Sequence, residues 1–181
     1  MKIRLADDKI LTDSIVDGEG LRAVIWTQGC SHNCEGCHNP KTHDFNGGVL
    51  KDVEEIKNEL KNLTLQDGIT LSGGDPFFQL EPCIEIAKFA KSIGLNVWSY
   101  TGFLFEDLIK IEKARELLKY IDVLVDGKFE IENKSLSIKF RGSTNQRIIN
   151  VPKSLKNEKV HQIRKYDKKE KKPQKRILYV W

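Results

Sequence analysis

Apolar residues form two patterns along the first 125 residues: short continuous runs, and stretches with helical spacing. The continuous runs are rich in β-branched and aromatic residues and predict four strands, over residues 23–28, 68–72, 95–100 and 120–125. Helical spacing predicts helices over residues 51–63 and 80–93, and a third helix that carries Leu104, Leu108, Ile111 and Leu118. Strands and helices alternate with short connections, which is typical of a parallel sheet covered by helices.

The length of the chain limits the kind of parallel sheet that it can form. A complete eight-stranded α/β barrel needs at least about 200 residues, and this chain has 181. We therefore predict an α/β fold, an incomplete (partial) TIM-type barrel with a parallel sheet, outer helices and a basic C-terminal tail. Ligands of such sheets bind beyond the carboxyl ends of the strands. Residues 29–40 and the glycines Gly73 and Gly74 both follow predicted strands, so we expect them to meet at one edge.

Composition excludes several classes of protein. Hydrophobic residues make up 39% of the chain and charged residues 31%, which is enough apolar material for a core and excludes a chain disordered throughout. No apolar run approaches the roughly 20 residues that a membrane-spanning helix needs. The first residues lack the apolar stretch and cleavage site of a secretion signal. We therefore expect a cytoplasmic protein with no membrane partner.

Charge is distributed unevenly along the chain. Residues 151–181 contain 11 lysines and arginines against three acidic residues, whereas the first 150 residues are mildly acidic. We predict one domain over residues 1–152 and a basic C-terminal extension over residues 153–181. Such an extension can bind nucleic acid or an acidic protein surface, or it can be a solvated end. It lacks the interleaved aromatic residues of a base-stacking surface, so no nucleic-acid partner is expected.

Three of the four cysteines lie within eight residues, in the spacing Cys30-x3-Cys34-x2-Cys37. A reducing cytosol argues against disulfides, so clustered thiols indicate a metal or redox site. The surrounding segment has almost no periodic apolar residues, so we predict a loop that is not held by a core of its own. Three thiolates at this spacing suit either zinc or an iron–sulfur cluster. The fourth cysteine, Cys83, lies on the apolar stripe of the second predicted helix, which indicates a core residue.

Zinc and iron–sulfur make different demands on the rest of the chain. A structural zinc site needs four ligands. The chain offers no second cysteine pair, but one of three histidines could complete a Cys3His site: His32, His38 or His43. A four-iron cluster held by three thiolates would leave one iron without a protein ligand, and that iron could bind a small molecule directly. Beside a glycine-rich turn at the end of a parallel strand, such an open iron favours a catalytic site.

Five segments, in order along residues 15–151, resemble one superfamily. The cysteine motif followed by His38 is similar to the cluster motif of the radical S-adenosylmethionine superfamily, and Ser72-Gly-Gly-Asp-Pro76 is similar to its glycine-rich motif. Three more segments narrow the resemblance to the activating proteins of anaerobic ribonucleoside-triphosphate reductases: Asp17-Gly-Glu-Gly-Leu-Arg22, Asp122-Val-Leu-Val-Asp-Gly-Lys-Phe129 and Phe140-Arg-Gly-Ser-Thr-Asn-Gln-Arg147.

The resemblance implies the chemistry and the partners. Members of the superfamily bind a [4Fe-4S] cluster whose fourth iron is chelated by S-adenosylmethionine, and an electron from the cluster yields a 5′-deoxyadenosyl radical. In the activating proteins this radical removes a hydrogen atom from a glycine of the reductase and leaves a glycyl radical. The implied partners are the anaerobic ribonucleoside-triphosphate reductase and an electron donor such as flavodoxin or ferredoxin.

The resemblance also implies the site residues. The expected cluster ligands are Cys30, Cys34 and Cys37. The expected cofactor contacts are Gly36, Cys37, His38, Gly73, Gly74 and Asp75, with His38 beside the adenine and the Gly-Gly turn beside the methionyl amino group. Lys128 fits a role in neutralising the methionine carboxylate, and Asp126 fits a role in holding a monovalent cation, but a surface ion pair between them explains both equally well. No role follows for Arg141 or Arg147.

Two alternatives stay open. Another small radical S-adenosylmethionine enzyme, such as a different glycyl-radical activase, shares the first two motifs, but four cysteines leave no room for the extra clusters that some of those enzymes carry. A zinc-stabilised nucleic-acid-binding module would hold one zinc ion and use the basic extension, and its affinity would fall steeply with salt.

Overall fold

In the computed structural model, which describes residues 1–167, the strands form one mixed sheet and the helices pack on it. The strands are β1 (Lys2–Leu5), β2 (Leu11–Ser14), β3 (Arg22–Thr27), β4 (Val49–Asp52), β5 (Gly68–Gly73), β6 (Asn96–Tyr100), β7 (Val123–Asp126) and β8 (Arg147–Asn150). The α-helices in this range are α1 (Val53–Lys61), α2 (Leu80–Ser92), α3 (Phe105–Leu108), α4 (Glu112–Leu118) and α5 (Val151–Asn157). Short 3-10 helices lie at Pro40–Thr42, Pro76–Phe78, Ile131–Asn133 and Arg164–Tyr166.

The centre of the sheet is parallel and its edges are antiparallel. The strands lie in the order β4-β1-β3-β5-β6-β7-β8, and β2 pairs with β3 off this path. β3, β5, β6 and β7 correspond to the four predicted strands, and each pairs parallel with the next. The predicted α/β class is therefore confirmed. Among the described residues the path ends at β4 and β8, so the sheet is open, and curvature into a partial barrel stays a prediction.

The antiparallel strands β1, β2, β4 and β8 lie outside the sequence prediction. Each has only four residues. Four residues are too few to show a clear alternation of apolar and polar side chains, which is the signal that predicts a half-buried strand. Each of them pairs with a neighbouring strand, as in β8, whose four residues all pair with β7.

The predicted first two helices are confirmed with shorter bounds, and the third prediction is wrong. α1 begins two residues later than predicted because Asp52 caps it, with its carboxylate accepting from the N–H of Glu54 at 3.1 Å. Residues 104–118 form two helices instead of one. Ile111 is extended (φ −100°, ψ 116°) and separates α3 from α4. Its side chain is exposed, so the apolar spacing that included it did not mark one buried face.

The two faces of the sheet carry different side chains, because successive strand residues point to opposite sides. On the face covered by α1, α2 and α4, alternate strand residues join one apolar core, which includes Ala23, Ile25, Ile69, Leu71, Val97, Leu124 and Ile149. The residues between them point to the other face, here called the open face. A smaller cluster on that face contains Trp98, Val123, Val125, Ile148 and Tyr166. The open face is therefore partly apolar without being covered by helices.

The described part of the predicted C-terminal extension packs on the open face. The predicted boundary after residue 152 falls inside α5. Beyond this helix, the ring of Tyr166 lies 5.2 Å from that of Phe140 and 5.9 Å from that of Trp98. The Tyr166 hydroxyl donates to Glu19 at 2.7 Å, and the Lys165 amine also bonds this carboxylate. The division into a domain and an extension stays a prediction, and residues 168–181 lie outside the described part.

No helix within residues 1–167 has the length and apolar character needed to cross a membrane.

We predict that Tyr166→Ala lowers the free energy of unfolding by about 3 kcal/mol, because it removes a buried aromatic ring from the open-face cluster. Tyr166→Phe keeps the ring and loses only the bond to Glu19, so its cost is about 1 kcal/mol. Urea unfolding of both variants measures the difference. Equal stability of Tyr166→Ala and the parent protein would show that residues 158–167 do not belong to the folded body.

Candidate metal centre

The cysteine loop follows β3 and is closed by backbone hydrogen bonds to a neighbouring segment. Gly29 turns the chain with φ +102°. Its N–H donates to the carbonyl of Thr42 at 2.8 Å, and the N–H of Cys30 donates to the carbonyl of His43 at 3.1 Å. A loop with few apolar residues is thus held by its main chain, as the lack of periodicity predicted.

The three cysteines differ in exposure along the loop. Cys30 is buried, whereas Cys34 and Cys37 are half-buried. Burial raises the pKa of the Cys30 thiol. The N–H of Cys37 donates to the carbonyl of Cys34 at 3.2 Å, which closes a turn, and the N–H of Asn39 donates to the sulfur of Cys37 at 3.4 Å. The loop therefore presents two accessible sulfurs, one of which already accepts a hydrogen bond.

Gly36 supplies the left-handed residue of this turn, with φ +69°. A Cβ at this position would lie 2.7 Å from the side chain of Ile131. The left-handed turn and the close side chain of Ile131 both favour glycine at residue 36. Contact between Gly36 and a cofactor stays a prediction.

The donor set suits an iron–sulfur cluster better than a single zinc ion. Among the described residues, no three histidine, cysteine, aspartate or glutamate side chains are grouped closely enough to hold one metal ion. A zinc ion binds each sulfur at about 2.3 Å and needs its ligands around one point, whereas a four-iron cluster separates its ligands. Cys83 is fully buried in the core, and burial raises the pKa of its thiol. Three thiolates on one loop thus fit a cluster with one iron open.

The glycines after β5 bring its end into direct contact with the cysteine loop. The N–H of Gly74 donates to the carbonyl of Thr27 at 2.7 Å. A Cβ on Gly74 would lie 2.4 Å from the carbonyl oxygen of Gly29, and a Cβ on Gly73 would lie 2.4 Å from that of Thr27. The predicted meeting of these two segments is confirmed. Close backbone packing explains both glycines, and their contact with a methionyl amino group stays a prediction.

Asp75 is buried at the junction of three segments. Its side chain accepts four hydrogen bonds, from Phe77 N–H (2.9 Å), His32 Nε2 (2.7 Å), Thr101 Oγ1 (2.9 Å) and Gly102 N–H (2.9 Å). The bond from Phe77 caps the 3-10 helix Pro76–Phe78. Asp75 therefore binds protein groups, and a contact with the cofactor stays a prediction. No local pattern in the sequence could connect His32 to Thr101 and Gly102, about 70 residues apart.

A cavity of about 610 Å³ lies on the open face beside the cysteine loop. It is lined by the open-face residues at the carboxyl ends of the parallel strands, Trp26, Ser72 and Tyr100, and by residues of two loops, among them His38, Asn39, Phe129, Phe140, Arg141 and Gly142. Burial raises the pKa of Tyr100, so its hydroxyl stays protonated. Exposed apolar side chains of Ile15, Val16 and Leu136 also border the cavity.

His38 forms part of the cavity wall together with Phe129, and their ring centroids are 4.7 Å apart. A Cβ on Gly142 would lie 2.9 Å from both rings, so this glycine leaves room for them. Arg141 also lines the cavity, and its side chain is 8% exposed and pairs with Asp167 at 2.9 Å. Its Nε has no hydrogen-bond partner among the described residues.

Asp126 does not form the surface ion pair with Lys128 that the sequence allowed. Asp126 is fully buried and pairs with Arg147, and it also accepts from the N–H of Phe105 at 2.8 Å. Arg147 extends the network to Glu106 at 2.7 Å and lowers the pKa of that carboxyl. Lys128 is exposed. The carboxylate of Asp126 is thus occupied by protein donors, which gives Arg147 a structural role.

We predict that Gly74→Ala lowers both protein stability and the amount of metal bound, because the new Cβ would push the backbone of Gly29 away. Gly94→Ala is the control: it adds the same methyl group at φ +84° with no neighbour within 4 Å, so it costs only about 1 kcal/mol of backbone strain. Thermal unfolding and metal analysis compare the two. Equal behaviour of the two variants would contradict the packing role of Gly74.

Comparison with known proteins agrees with this geometry. Residues 16–149 match the family model described as a 4Fe-4S single cluster domain. The chain is similar to three proteins named anaerobic ribonucleoside-triphosphate reductase-activating protein. The relative from Haemophilus influenzae is 39% identical over 73% of this chain and 89% of its own length. The relative from Enterobacteria phage T4 is 38% identical (78% and 91%), and that from Escherichia coli K12 is 36% identical (73% and 90%). The chain belongs to the family of anaerobic ribonucleoside-triphosphate reductase-activating proteins, with a 4Fe-4S single cluster domain.

Proposed function

We propose that this protein activates an anaerobic ribonucleoside-triphosphate reductase by installing a glycyl radical on it, with a [4Fe-4S] cluster and S-adenosylmethionine as cofactors. The observation that carries the proposal is the position of the three-cysteine loop beside a cavity at the carboxyl ends of the parallel strands. Family membership supports the cluster and the partner. When bound, the cluster and S-adenosylmethionine supply the one-electron chemistry that generates the 5′-deoxyadenosyl radical, and the protein supplies binding and orientation.

The cysteine loop has the task of holding the cluster with one iron left free of protein ligands. Cys30, Cys34 and Cys37 are the proposed ligands. The backbone bonds of Gly29 and Cys30 fix the buried end of the loop, and the N–H of Asn39 donates to the Cys37 sulfur at the exposed end. A cluster bound here would face the cavity, since residues 38 and 39 leave the loop as part of the cavity wall.

The cavity has the task of orienting S-adenosylmethionine and excluding water. His38 and Phe129 offer ring surfaces for the adenine. By resemblance to the glycine-rich motif of the superfamily, Gly73, Gly74 and Asp75 are the proposed contacts of the methionyl amino group, and Gly36 is a proposed contact at the turn between two ligands. Trp26 and Tyr100 provide apolar walls that limit access of water to the reacting atoms. In a partial barrel, the carboxyl ends of the strands would surround the ligand, and the strand ends that line this cavity agree with that arrangement.

The partner would need to bring a glycine of its own backbone to the cavity, because the proposed cofactors would be held there. The exposed apolar residues Ile15, Val16 and Leu136 stand at the side from which a protein segment can enter. We assign the reductase to this side.

The cluster also needs a one-electron donor, for which a flavodoxin or a ferredoxin is suitable. We place the protein and its reaction in the cytoplasm.

We predict that the protein, purified without oxygen and reconstituted, is brown and holds about four irons and four acid-labile sulfides per chain. Cys34→Ala should lose most of this iron because only two thiolates stay on the loop. Cys83→Ala is the matched control and should keep the iron, since Cys83 lies in the core. Iron, sulfide and zinc analysis measures the outcome. One zinc per chain and no colour would support the zinc alternative instead.

We predict that the reduced protein cleaves S-adenosylmethionine to methionine and 5′-deoxyadenosine, and that adding the reductase gives a stable organic radical on the reductase in electron paramagnetic resonance (EPR) spectra. Cys34→Ala should give neither result. Cleavage without a radical on the reductase would favour another small radical S-adenosylmethionine enzyme, and absence of cleavage by the reduced, iron-loaded protein would contradict the proposed function.

A further inference from the structure

His32 lies between two proposed cluster ligands, and its side chain bonds Asp75. Its side chain is only 9% exposed, and its Nε2 lies 2.7 Å from the Oδ2 of Asp75, whose side chain is 1% exposed. The sequence left His32 open as a fourth metal ligand. The Nε2 of His32 is hydrogen-bonded to the carboxylate of Asp75, so this nitrogen is not available as a metal ligand in the structure.

The direction of this hydrogen bond follows from the other partners of Asp75. The same oxygen accepts from the hydroxyl of Thr101 and from the backbone N–H of Gly102, both at 2.9 Å. An oxygen that accepts from a backbone N–H is an acceptor, so Nε2 of His32 carries the hydrogen and donates it. Asp75 thereby ties the cysteine loop to the segments that follow β5 and β6.

The ring of His32 is also enclosed sterically. Its centroid lies 4.5 Å from that of Phe103 in an edge-on arrangement and 5.5 Å from that of Phe78. A Cβ on Gly102 would lie 2.5 Å from the ring, so the absence of a side chain at residue 102 makes room for the imidazole. Gly102 has no left-handed conformation that would require glycine. Hydrogen bonding and packing thus hold the ring in one position by separate means.

We propose that His32 is a positioning residue for the metal centre: its bond to Asp75 fixes the Cys30-to-Cys34 segment against the ends of β5 and β6. The proposal rests on the proposed function, since it assigns the aspartate of the glycine-rich motif to the ligand loop. Asp75 then acts on the cluster through His32. The position of the cluster relative to the cavity depends on this bond, because Cys30 and Cys34 flank His32 on either side.

Two substitutions separate the hydrogen bond from the packing. His32→Phe keeps an aromatic ring for Phe78 and Phe103 but cannot donate to Asp75. His32→Gln lacks the ring but places an amide N–H near the position of Nε2. Ser31→Ala, at an exposed neighbouring position of the same loop, is the control. If His32→Phe does not fold, His32→Asn replaces it, because its polar side chain is too short to reach Asp75.

The first measurement uses metal-free protein and therefore does not depend on the cluster. Iodoacetamide labelling of Cys30, resolved by peptide mass spectrometry, reports how well the buried end of the loop is held. We expect His32→Phe to raise the labelling rate about tenfold, the factor that corresponds to about 1.4 kcal/mol, which is within the usual range for one hydrogen bond. His32→Gln and Ser31→Ala should label close to the parent rate. A parent-like rate for His32→Phe would overturn the proposal.

The second measurement uses the iron-loaded protein. EPR spectra of the reduced cluster are recorded with and without S-adenosylmethionine. We expect the change caused by S-adenosylmethionine to be lost in His32→Phe and restored in His32→Gln, whereas a purely structural role would lower thermal stability in both without this difference. An unchanged response in His32→Phe would overturn the positioning role and leave the proposed function intact. A parent protein that binds iron but shows no response to S-adenosylmethionine would instead contradict the proposed function, whatever the labelling result.

Discussion

The close approach of two backbone segments, at the ends of β3 and β5, is the constraint on which the metal centre depends. Gly74 donates to Thr27, Asp75 donates to Gly29, and any side chain at Gly74 would occupy the space of the Gly29 carbonyl. A loop without an apolar core cannot be held by side-chain burial. Main-chain hydrogen bonds hold the loop instead, and they can form because the glycines have no Cβ atoms that would keep the two backbones apart. The glycines of this site therefore serve mainly for close packing.

The alternation of side chains across the parallel strands connects this constraint to the rest of the fold. Residues pointing to the covered face form one apolar core with the helices and fix the strands. Residues pointing to the open face become polar or aromatic toward the strand ends, where Trp26, Ser72 and Tyr100 line the cavity. At the opposite end of the strands, buried Arg22 donates to Thr70 at 2.7 Å and lies over the ring of Trp98. The covered face therefore carries the main core, while the open face carries the cavity at one end of the strands and a smaller buried cluster at the other.

Much of this arrangement could be predicted from the sequence, and the remainder has physical reasons for being hidden. Long apolar runs predicted the parallel strands, and the lack of periodic apolar residues predicted the loop that carries the three cysteines, because both signals are local. The antiparallel strands were too short to show an alternation of apolar and polar residues. Ile111 has helical spacing from its apolar neighbours in the sequence, but it lies exposed between two helices. The partners of Asp75 and Asp126 could not be predicted. His32 and Arg147 reach these carboxylates from 43 and 21 residues away, and pairing over such distances is decided by tertiary packing.

Burial differs along the cysteine loop: Cys30 is fixed inside the protein, whereas Cys34 and Cys37 are accessible to an incoming metal. Cys30 is held in the protein by backbone bonds, and burial raises the pKa of its thiol, so the metal-free loop keeps a proton there. Cys34 and Cys37 are more accessible. If the three cysteines hold the proposed cluster, iron would meet Cys34 and Cys37 first, and ligation by Cys30 would release its thiol proton to solvent. The backbone hydrogen bonds of Cys30 and Gly29 would then fix that side of the cluster in the protein.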